Sequence, residues 1–289
     1  MEKMPNNEAW YTLYNPHFNT EAYLYHYTSI EKAAMILDGD SLKFSKISKA
    51  NDTLESKPRV NIENLSKDDI EAIIQHFRTI NENYLQILCF SQDQALFPDQ
   101  VSEKTYYCDY SGRGFALPRM WAQYATNNNG VCLVFDKNLL TELISNTLIG
   151  CFIHEGKVEY VPQFDPYQIK PYNLKKLLQL VKKSSNAITT GIDHVAYLKK
   201  DACFVQYNYF CKLNDWATEH EYRFLAYGDE EQYIPNIKSA LIGVIIGEQT
   251  KSYNQKIIQL FCDNNCSVKK VSFMYNGCTL ENVYKQEEV

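Results

Sequence analysis

The stretch from Ala22 to Ile47 reads AYLYHYTSIEKAAMILDGDSLKFSKI, and its periodicity changes twice. Residues 22–28 alternate in character, which is typical of a strand that carries its three tyrosines on one face and His26 on the other. Apolar residues then recur at helical spacing at positions 30, 33, 34 and 37, and Gly39 ends that pattern. Residues 41–47 alternate again. The stretch therefore predicts a strand–helix–strand unit.

The start of the predicted helix carries a second signal. Thr28 and Glu31 have the spacing of a capping box, in which a hydroxyl and a carboxylate each bind an otherwise unpaired backbone amide. We therefore expect Thr28 to cap the helix. Backbone amides at a helix start point outward and favour anionic groups. His26 lies two residues before Thr28, so it is close to this position. A structural histidine bonded to a neighbouring loop is the simpler interpretation of His26 alone.

The rest of the chain alternates between apolar runs and helical periods. Apolar runs predict strands at 85–91, 131–135, 222–227, 241–246 and 268–275. Helical periods predict helices at 67–84, from 118 to the Asn-rich run at 127, at 172–183, at 192–213 and at 255–261. A short helix is also expected after the strand at 131–135, ending at about residue 145. A hairpin is expected over 151–161 with its turn at Glu155-Gly156. We predict an N-terminal arm (1–20) and one α+β domain (21–289) with a mixed central sheet and a helical insertion around 165–213.

Composition excludes several classes of protein. The 289 residues are 45% hydrophobic and 22% charged, which excludes disorder over most of the chain. A net charge of −6 argues against a general binder of phosphate backbones. The first ten residues lack the apolar core of a signal peptide, and the longest apolar stretch, 240–247, is shorter than the roughly 20 residues that span a bilayer. We therefore expect a cytoplasmic protein without a membrane partner.

The nine cysteines do not form a disulfide framework, since they are odd in number and scattered. Most lie in apolar runs, which favours buried free thiols. Cys262 and Cys266 lack the second ligand pair of a zinc site, so we expect no metal there. The chain also lacks a P-loop, a Rossmann glycine pattern, a nucleophile elbow and a His-Glu-x-x-His zinc motif.

Two further groups of residues are candidates for chemistry. If Glu221 opens a strand, Glu219 and Glu221 project to the same side, where paired carboxylates favour a cation. Arg223 offers them a salt bridge, which is the structural alternative. Trp121 and Tyr124 form an aromatic helix face, which is more often core than a ligand platform.

Six separated motifs together resemble a bacterial family known as domain of unknown function 2971. They are LYHYTS at 24–29, residues 42–45, Asn51-Asp52 with Glu55, Cys89-Phe90-Ser91, Trp121 to Phe135, and Lys212 to Arg223. The resemblance extends over about residues 22–247.

The first and last motifs also resemble the ADP-ribosyltransferase superfamily, which implies a split central sheet and NAD as substrate. The resemblance assigns His26 to the adenosine-side ribose of NAD, the backbone of Tyr27 to the nicotinamide amide, and Glu221 to catalysis. It assigns Glu219 to orienting an acceptor, and either Tyr124 or Trp121 to stacking on nicotinamide. The remaining expected NAD-binding residues are Thr28, Ser91 and Asn51. Two features depart from the superfamily: Tyr27 replaces a common glycine, and the Ser-Thr-Ser strand motif is absent.

The resemblance therefore implies an NAD-dependent ADP-ribosyltransferase or NAD-cleaving enzyme that needs no metal, of the sort found among bacterial toxins and anti-phage effectors. The acceptor, whether protein, nucleic acid, small molecule or water, stays open. One alternative is a Mg²⁺-dependent nuclease with Asp215, Glu219 and Glu221 as ligands and Lys212 or Arg223 at the phosphate. Another is a non-catalytic module that binds a nucleotide or protein through its tyrosines.

Overall fold

The computed structural model of the chain describes six main segments: residues 21–57, 65–94, 112–164, 202–250, 267–274 and 277–283. It also describes positions 59, 110, 178, 179, 181, 196, 198–200, 259 and 261. The predicted arm, the helices at 172–183 and 255–261, and the Cys262/Cys266 pair lie wholly or mostly outside these residues. Most of the predicted insertion does too, so these expectations stay predictions. No helix in the described segments is long and apolar enough to cross a membrane.

A large mixed sheet dominates the described segments, and with the helices it makes an α+β fold. Nine of the described strands form this sheet, in the order β13-β12-β11-β5-β1-β4-β9-β6, with β3 beside β4. Its strands are β1 (Tyr23–Thr28), β3 (Ser45–Lys46), β4 (Leu85–Gln92), β5 (Val131–Asp136), β6 (Phe152–Lys157), β9 (Glu221–Tyr227), β11 (Leu241–Ile246), β12 (Ser267–Met274) and β13 (Gly277–Asn282). Two short pairs stand apart: β2 (Ser41–Lys43) with β10 (Tyr233–Pro235), and β7 (Glu159–Val161) with β8 (Cys211–Leu213).

Helices cover both faces of the sheet. They are α1 (Ile30–Asp38), α2 (Lys67–Asn83), α3 (Pro118–Tyr124), α4 (Lys137–Thr147) and α5 (Ala202–Tyr209). The first face packs against α1 and α4 in one apolar cluster that includes Leu24, Phe90 and Phe224. The second face carries two clusters, one under α3 around the β1 tyrosines and one under α2 and α5 around Ile87 and Leu225. Between these two clusters the second face is polar.

Most predicted elements are present, with one change at the first helix. Ser29 caps α1 by accepting a hydrogen bond from the Lys32 amide. Thr28 is instead the buried last residue of β1, so the predicted capping role of Thr28 is wrong. The strand ends at Thr28, as the alternation indicated, and the hydroxyl of the next residue, Ser29, caps the helix.

Three other predictions fail because the strands involved pair with partners that are distant in the sequence. The single strand predicted over 41–47 is split at Phe44, since β2 pairs with β10 whereas β3 pairs with β4. The hairpin predicted at Glu155-Gly156 is absent: β6 runs straight through both residues against β9, and β7 pairs with β8. The helix predicted to reach residue 213 ends at Tyr209, and Cys211 begins β8.

Candidate functional site

The candidate site forms where β4 changes partners along one edge. At one end, Leu24 and Tyr25 of β1 pair with Gln92 and Ser91 of β4. At the other end, Ser45 of β3 pairs with Ile87. The centre of β4, residues 88–90, has neither strand against this edge, while β1 continues along β5 as far as Thr28. The sheet is therefore open between β1 and β4.

A cleft of about 980 Å³ occupies this opening. That volume is at the upper end of the range of small-molecule sites. The cleft is lined by the consecutive residues from Tyr25 to Ser29 and from Ile87 to Ser91. Because successive side chains of a strand point to opposite faces, residues from both faces of the sheet border the cleft. Eight of the nine predicted site residues line this one cleft: His26, Tyr27, Thr28, Asn51, Ser91, Tyr124, Glu219 and Glu221.

His26 and Glu221 reach the cleft from opposite faces of the sheet. Glu221 is in register with Ser91, which is in register with Tyr25, so these three side chains share the second face. His26 follows Tyr25 and points to the first face, where its ring lies 5.5 Å from that of Phe90. The two residues border the same space only because the sheet is open between β1 and β4.

The ring orientation of His26 is set by the backbone of β4. Its Nδ1 lies 3.2 Å from the carbonyl oxygen of Cys89. Because a carbonyl only accepts hydrogen bonds, Nδ1 carries the hydrogen in the neutral ring and Nε2 presents a lone pair. Burial lowers the pKa of His26 below 6.5, and nearby Lys32 adds to this, while the bond to Cys89 opposes it. His26 is therefore a neutral acceptor at physiological pH.

Five buried charged side chains form a cluster on the second face at the floor of the cleft. They are the carboxylates of Glu55, Glu219 and Glu221 and the cations of Lys212 and Arg223, each at most 5% exposed. Lys212 Nζ lies 2.7 Å from Glu221, 2.9 Å from Glu219 and 3.2 Å from Glu55. Arg223 donates from Nε and Nη2 to the two oxygens of Glu221, both at 2.8 Å. We call this group the charge cluster.

The pairing within the charge cluster keeps Glu221, Lys212 and Arg223 ionised despite their burial. Burial alone would raise the pKa of Glu221, but Arg223 and Lys212 outweigh it and lower the pKa to about 2. Burial likewise opposes the charge on Lys212, and the neighbouring carboxylates, Glu221 first, raise its pKa. The same balance raises the pKa of Arg223. The salt bridge between Glu221 and Arg223 that the sequence offered as an alternative is present.

Glu219 and Glu221 meet at Lys212 for a reason other than the strand alternation predicted for them. Glu219 ends a 3₁₀ helix over Asn214–Glu219, and Glu221 begins β9. His220 between them adopts a left-handed conformation, with φ 45° and ψ 50°. A residue with a side chain in this conformation is destabilised by about 1–2 kcal/mol. Bringing the two carboxylates together therefore has a conformational cost.

We expect His220→Val to lower the free energy of unfolding by about 1–2 kcal/mol more than His220→Gly, because a β-branched residue is strained in a left-handed conformation and glycine is not. Denaturant unfolding of both variants measures this difference. Equal stability of the two variants, or a more stable Val variant, would contradict a left-handed residue 220.

The two aromatic candidates are separated by the structure. Tyr124 lines the cleft and its hydroxyl donates to Glu219 Oε1 at 2.7 Å. Trp121 is fully buried, its indole NH donates to the Phe115 carbonyl oxygen, and its ring packs on Tyr27. Trp121 does not line the cleft, whereas Tyr124 does, so Tyr124 is the aromatic candidate that the cleft can present to a ligand. The stacking role itself stays a prediction.

Ser91 carries a hydroxyl with no hydrogen-bond partner among the described residues. It is 1% exposed, lines the cleft and is the cross-strand neighbour of Glu221. A buried hydroxyl without a partner costs about 1–3 kcal/mol. A ligand atom in the cleft would satisfy it.

The sequence did not single out the basic part of the cleft. Lys32, Lys43, Lys46 and Lys49 also line it. Lys43 is paired with Glu231, and Lys46 donates to backbone carbonyls of Asn83 and Gly228. Lys32 and Lys49 have no salt bridge to any described residue, which leaves their charges available for anions. The four lysines all fall within residues 32–49, a clustering that a scan for local charge would have detected.

The nuclease ligand set predicted from the sequence is not assembled. Asp215 is exposed, lies in the 3₁₀ helix and does not line the cleft. Glu219 and Glu221 contact Lys212 rather than presenting free oxygens side by side. In the described segments, no group of three His, Cys, Asp or Glu side chains is arranged to hold a metal ion.

Comparison with protein-family models gives a match to part of the chain. A family model described as a protein of unknown function (DUF2971) matches residues 120–224, which contain Tyr124 and the charge cluster apart from Glu55. No curated protein and no solved structure matched the chain. Residues 120–224 thus carry the pattern of the DUF2971 family of proteins of unknown function, the family that the sequence motifs resemble.

Proposed function

We propose that the protein is an enzyme that cleaves the nicotinamide–ribose bond of NAD and passes ADP-ribose to an acceptor or to water. The observation that carries this proposal is the convergence of His26 and Glu221, 195 positions apart in the chain, on one open cleft. The opening between β1 and β4 supports the split sheet that the resemblance to ADP-ribosyltransferases implies.

The charges along the cleft fit this substrate. NAD carries two negative charges on its pyrophosphate and one positive charge on its nicotinamide ring. Lys32 and Lys49 provide cations that line the cleft, and the charge cluster, with three carboxylates against two cations, provides a net negative charge at another part of its lining. In the proposed complex the pyrophosphate lies at the lysines and the nicotinamide riboside at Glu221.

Each side chain then has a defined role. Nε2 of His26 accepts a hydrogen bond from a ribose hydroxyl of the adenosine half. Tyr124, fixed by its bond to Glu219, supplies the ring that stacks on nicotinamide. As the glycosidic bond breaks, positive charge develops on the ribose, and ionised Glu221 stabilises that state more than the ground state. Arg223 and Lys212 fix the carboxylate in place before the reaction.

Incubation of the purified protein with NAD, with nicotinamide release followed by chromatography, tests the proposal. We expect release above the uncatalysed rate, either alone or on addition of proteins, nucleic acids or a cell extract as acceptors. ADP-ribose labelled with ³²P then identifies the acceptor, and free ADP-ribose indicates hydrolysis. No nicotinamide release with any of these acceptors would overturn the proposal.

The pKa of His26 predicts how NAD binding depends on pH. Because this pKa is lowered below 6.5, His26 is neutral at pH 7 and above, and protonation removes its acceptor atom only at lower pH. We expect the Kd for NAD to be constant above pH 7 and to rise once the pH falls far enough below 6.5 to protonate His26. His26→Asn should bind NAD more weakly at pH 7 and lose most of this dependence. An unchanged pH profile in the variant would contradict the role of His26.

A non-catalytic nucleotide-binding module is the second candidate, and one observation favours it. Both oxygens of Glu221 are already bonded to Arg223, and Lys212 is a further partner. Such a carboxylate also fits a purely structural role. This candidate expects NAD or another nucleotide to bind without turnover, Tyr124→Ala to weaken binding, and Glu221→Gln to leave binding intact.

A further inference from the structure

The cleft has an apolar part that the proposed contacts of NAD leave unused. Met35 on α1 and Tyr233 on β10 line the cleft, although these residues are 73% and 47% exposed. Large apolar residues scattered singly over a surface are ordinary, but two of them on the lining of one cleft indicate a ligand with an apolar part. The other exposed large hydrophobic residues of the described segments do not line the cleft: Ile74, Leu139, Ile149 and Met274.

This apolar part belongs to α1 and to the β2–β10 pair. Lys32 and Met35 are three residues apart, so they share one side of α1, and both line the cleft. The helix leads through Gly39 into β2, and β2 pairs with β10 so that Lys43 stands opposite Tyr233. Each of the two exposed apolar residues therefore has a lysine as its neighbour.

The ring of Tyr233 is held in place without being buried. Its hydroxyl donates to Glu231 Oε2 at 3.0 Å, and Lys43 Nζ lies 5.7 Å from the centre of the ring. Lys43 is itself paired with Glu231, so the three side chains form one interacting group. Because the orientation of the ring is fixed before binding, a planar ligand that stacks on it pays little conformational entropy.

The neighbouring charges indicate what such a planar ligand carries. Lys32 and Lys49 line the cleft and have no salt bridge to any described residue. An anion is therefore favoured beside Met35, one helical turn from Lys32. A ligand that combines a planar ring with phosphate groups is a nucleotide. A purine suits the site better than a pyrimidine does, because its two fused rings cover more of the tyrosine ring.

We propose that Tyr233 and Met35 form a subsite for the purine base of a nucleotide whose phosphates lie at Lys32 and Lys49. In NAD this base is the adenine, and its binding here leaves the nicotinamide end for Glu221. The inference rests on the proposed function only for naming NAD as the nucleotide. The subsite itself is testable with a nucleotide that has no nicotinamide to release.

Binding of ADP and of inorganic pyrophosphate, measured by titration calorimetry, separates the base from the phosphates. We expect the wild type to bind ADP at least about fivefold more tightly than pyrophosphate, and more tightly than UDP. Tyr233→Leu keeps an apolar side chain but removes the ring, so the Kd for ADP should rise about five- to fiftyfold while the Kd for pyrophosphate stays unchanged. Tyr233→Phe keeps the ring and should bind ADP within about twofold of the wild type.

Two further variants test the other contacts, each with a matched control. Met35→Ala should weaken ADP binding about two- to fivefold without affecting pyrophosphate, whereas Met274→Ala, the same change at an exposed position away from the cleft, should have no effect. Lys32→Gln should weaken the binding of both ligands, and Lys67→Gln, at the exposed start of α2, should weaken neither.

Thermal unfolding of every variant ensures that only folded protein is compared. The inference is overturned if ADP binds no more tightly than pyrophosphate, or if Tyr233→Leu binds ADP as the wild type does. An equal loss of both ligands in Tyr233→Leu also overturns it, since that result indicates damage to the β2–β10 pair. If ADP binds as expected but the wild type releases no nicotinamide from NAD, only the proposed function fails. If NAD is cleaved while Tyr233→Leu keeps its affinity for ADP, only the subsite fails.

Discussion

Replacing Glu221 by Gln is expected to lower the rate of nicotinamide release by about a hundred- to a thousandfold. The substitution keeps the size of the side chain and one acceptor for Arg223, but it removes the negative charge that stabilises the developing ribose cation. Because this charge acts mainly in the transition state, we expect the Kd for NAD to change by less than about fivefold. Single-turnover release of nicotinamide and equilibrium binding measure the two quantities.

The matched control is Glu142→Gln, which makes the same chemical change at an exposed position of α4 away from the cleft. It should leave both release and binding unchanged. A loss in Glu221→Gln that is accompanied by an equal loss of NAD binding or of folded protein would point to a structural rather than a catalytic carboxylate. Retention of wild-type release by Glu221→Gln would contradict catalysis by Glu221.

Replacing Arg223 by Met is expected to lower the free energy of unfolding by about 3–5 kcal/mol. The cost arises because Glu55 and Glu221 stay buried with Lys212 as their one remaining cation in the charge cluster. The loss should be largest at neutral pH. The pKa of Glu221 is lowered from 4.5 to about 2, so its pairing stabilises the fold above pH 4.5, and this contribution disappears as the pH falls toward 2.

Urea unfolding at pH 7 and pH 3.5 tests this prediction, with Arg78→Met on the exposed side of α2 as the control that should change stability by less than about 0.5 kcal/mol. The double variant Arg223→Met/Glu55→Met should recover much of the loss, since removing both charges restores the balance of the charge cluster. If Arg223→Met were as stable as Arg78→Met, the stability of the charge cluster would not depend on Arg223.

Local patterns in the sequence predicted the central elements well. The tyrosine alternation in β1, the Gly39 stop after α1 and the apolar runs of β4, β5 and β11 all depend on neighbours a few residues away, and these elements are confirmed. The same patterns predicted that the side chain of His26 points away from those of the tyrosines. Eight predicted site residues also line one cleft, although their roles stay predictions.

Features that depend on distant partners were not predictable. The division at Phe44 exists because its amide bonds to Gln232, far along the chain, and β6 continues through Gly156 because β9 lies against it. The cap on α1 was misplaced by one residue because Thr28 and Ser29 offer the same chemistry. Glu55 and Lys212 were noted in motifs, but their meeting at Glu221 depends on the approach of three separate chain segments.

The position of Trp121 away from the cleft also depends on the tertiary structure. On a helical wheel Trp121 and Tyr124 share a face, so the sequence left both as stacking rings. The structure buries Trp121 against Tyr27 of β1, whereas the hydroxyl of Tyr124, one turn later, donates to Glu219. The helix ends at that residue, which places the ring of Tyr124 at the cleft.

The most direct test of the account is a crystal structure of Glu221→Gln with NAD, since the variant should bind the substrate without cleaving it. We predict the nicotinamide ring against Tyr124, its ribose at residue 221, a hydroxyl of the other ribose bonded to Nε2 of His26, and the pyrophosphate near Lys32 and Lys49. NAD bound outside the cleft between β1 and β4, or bound without contact to His26 or residue 221, would contradict the account.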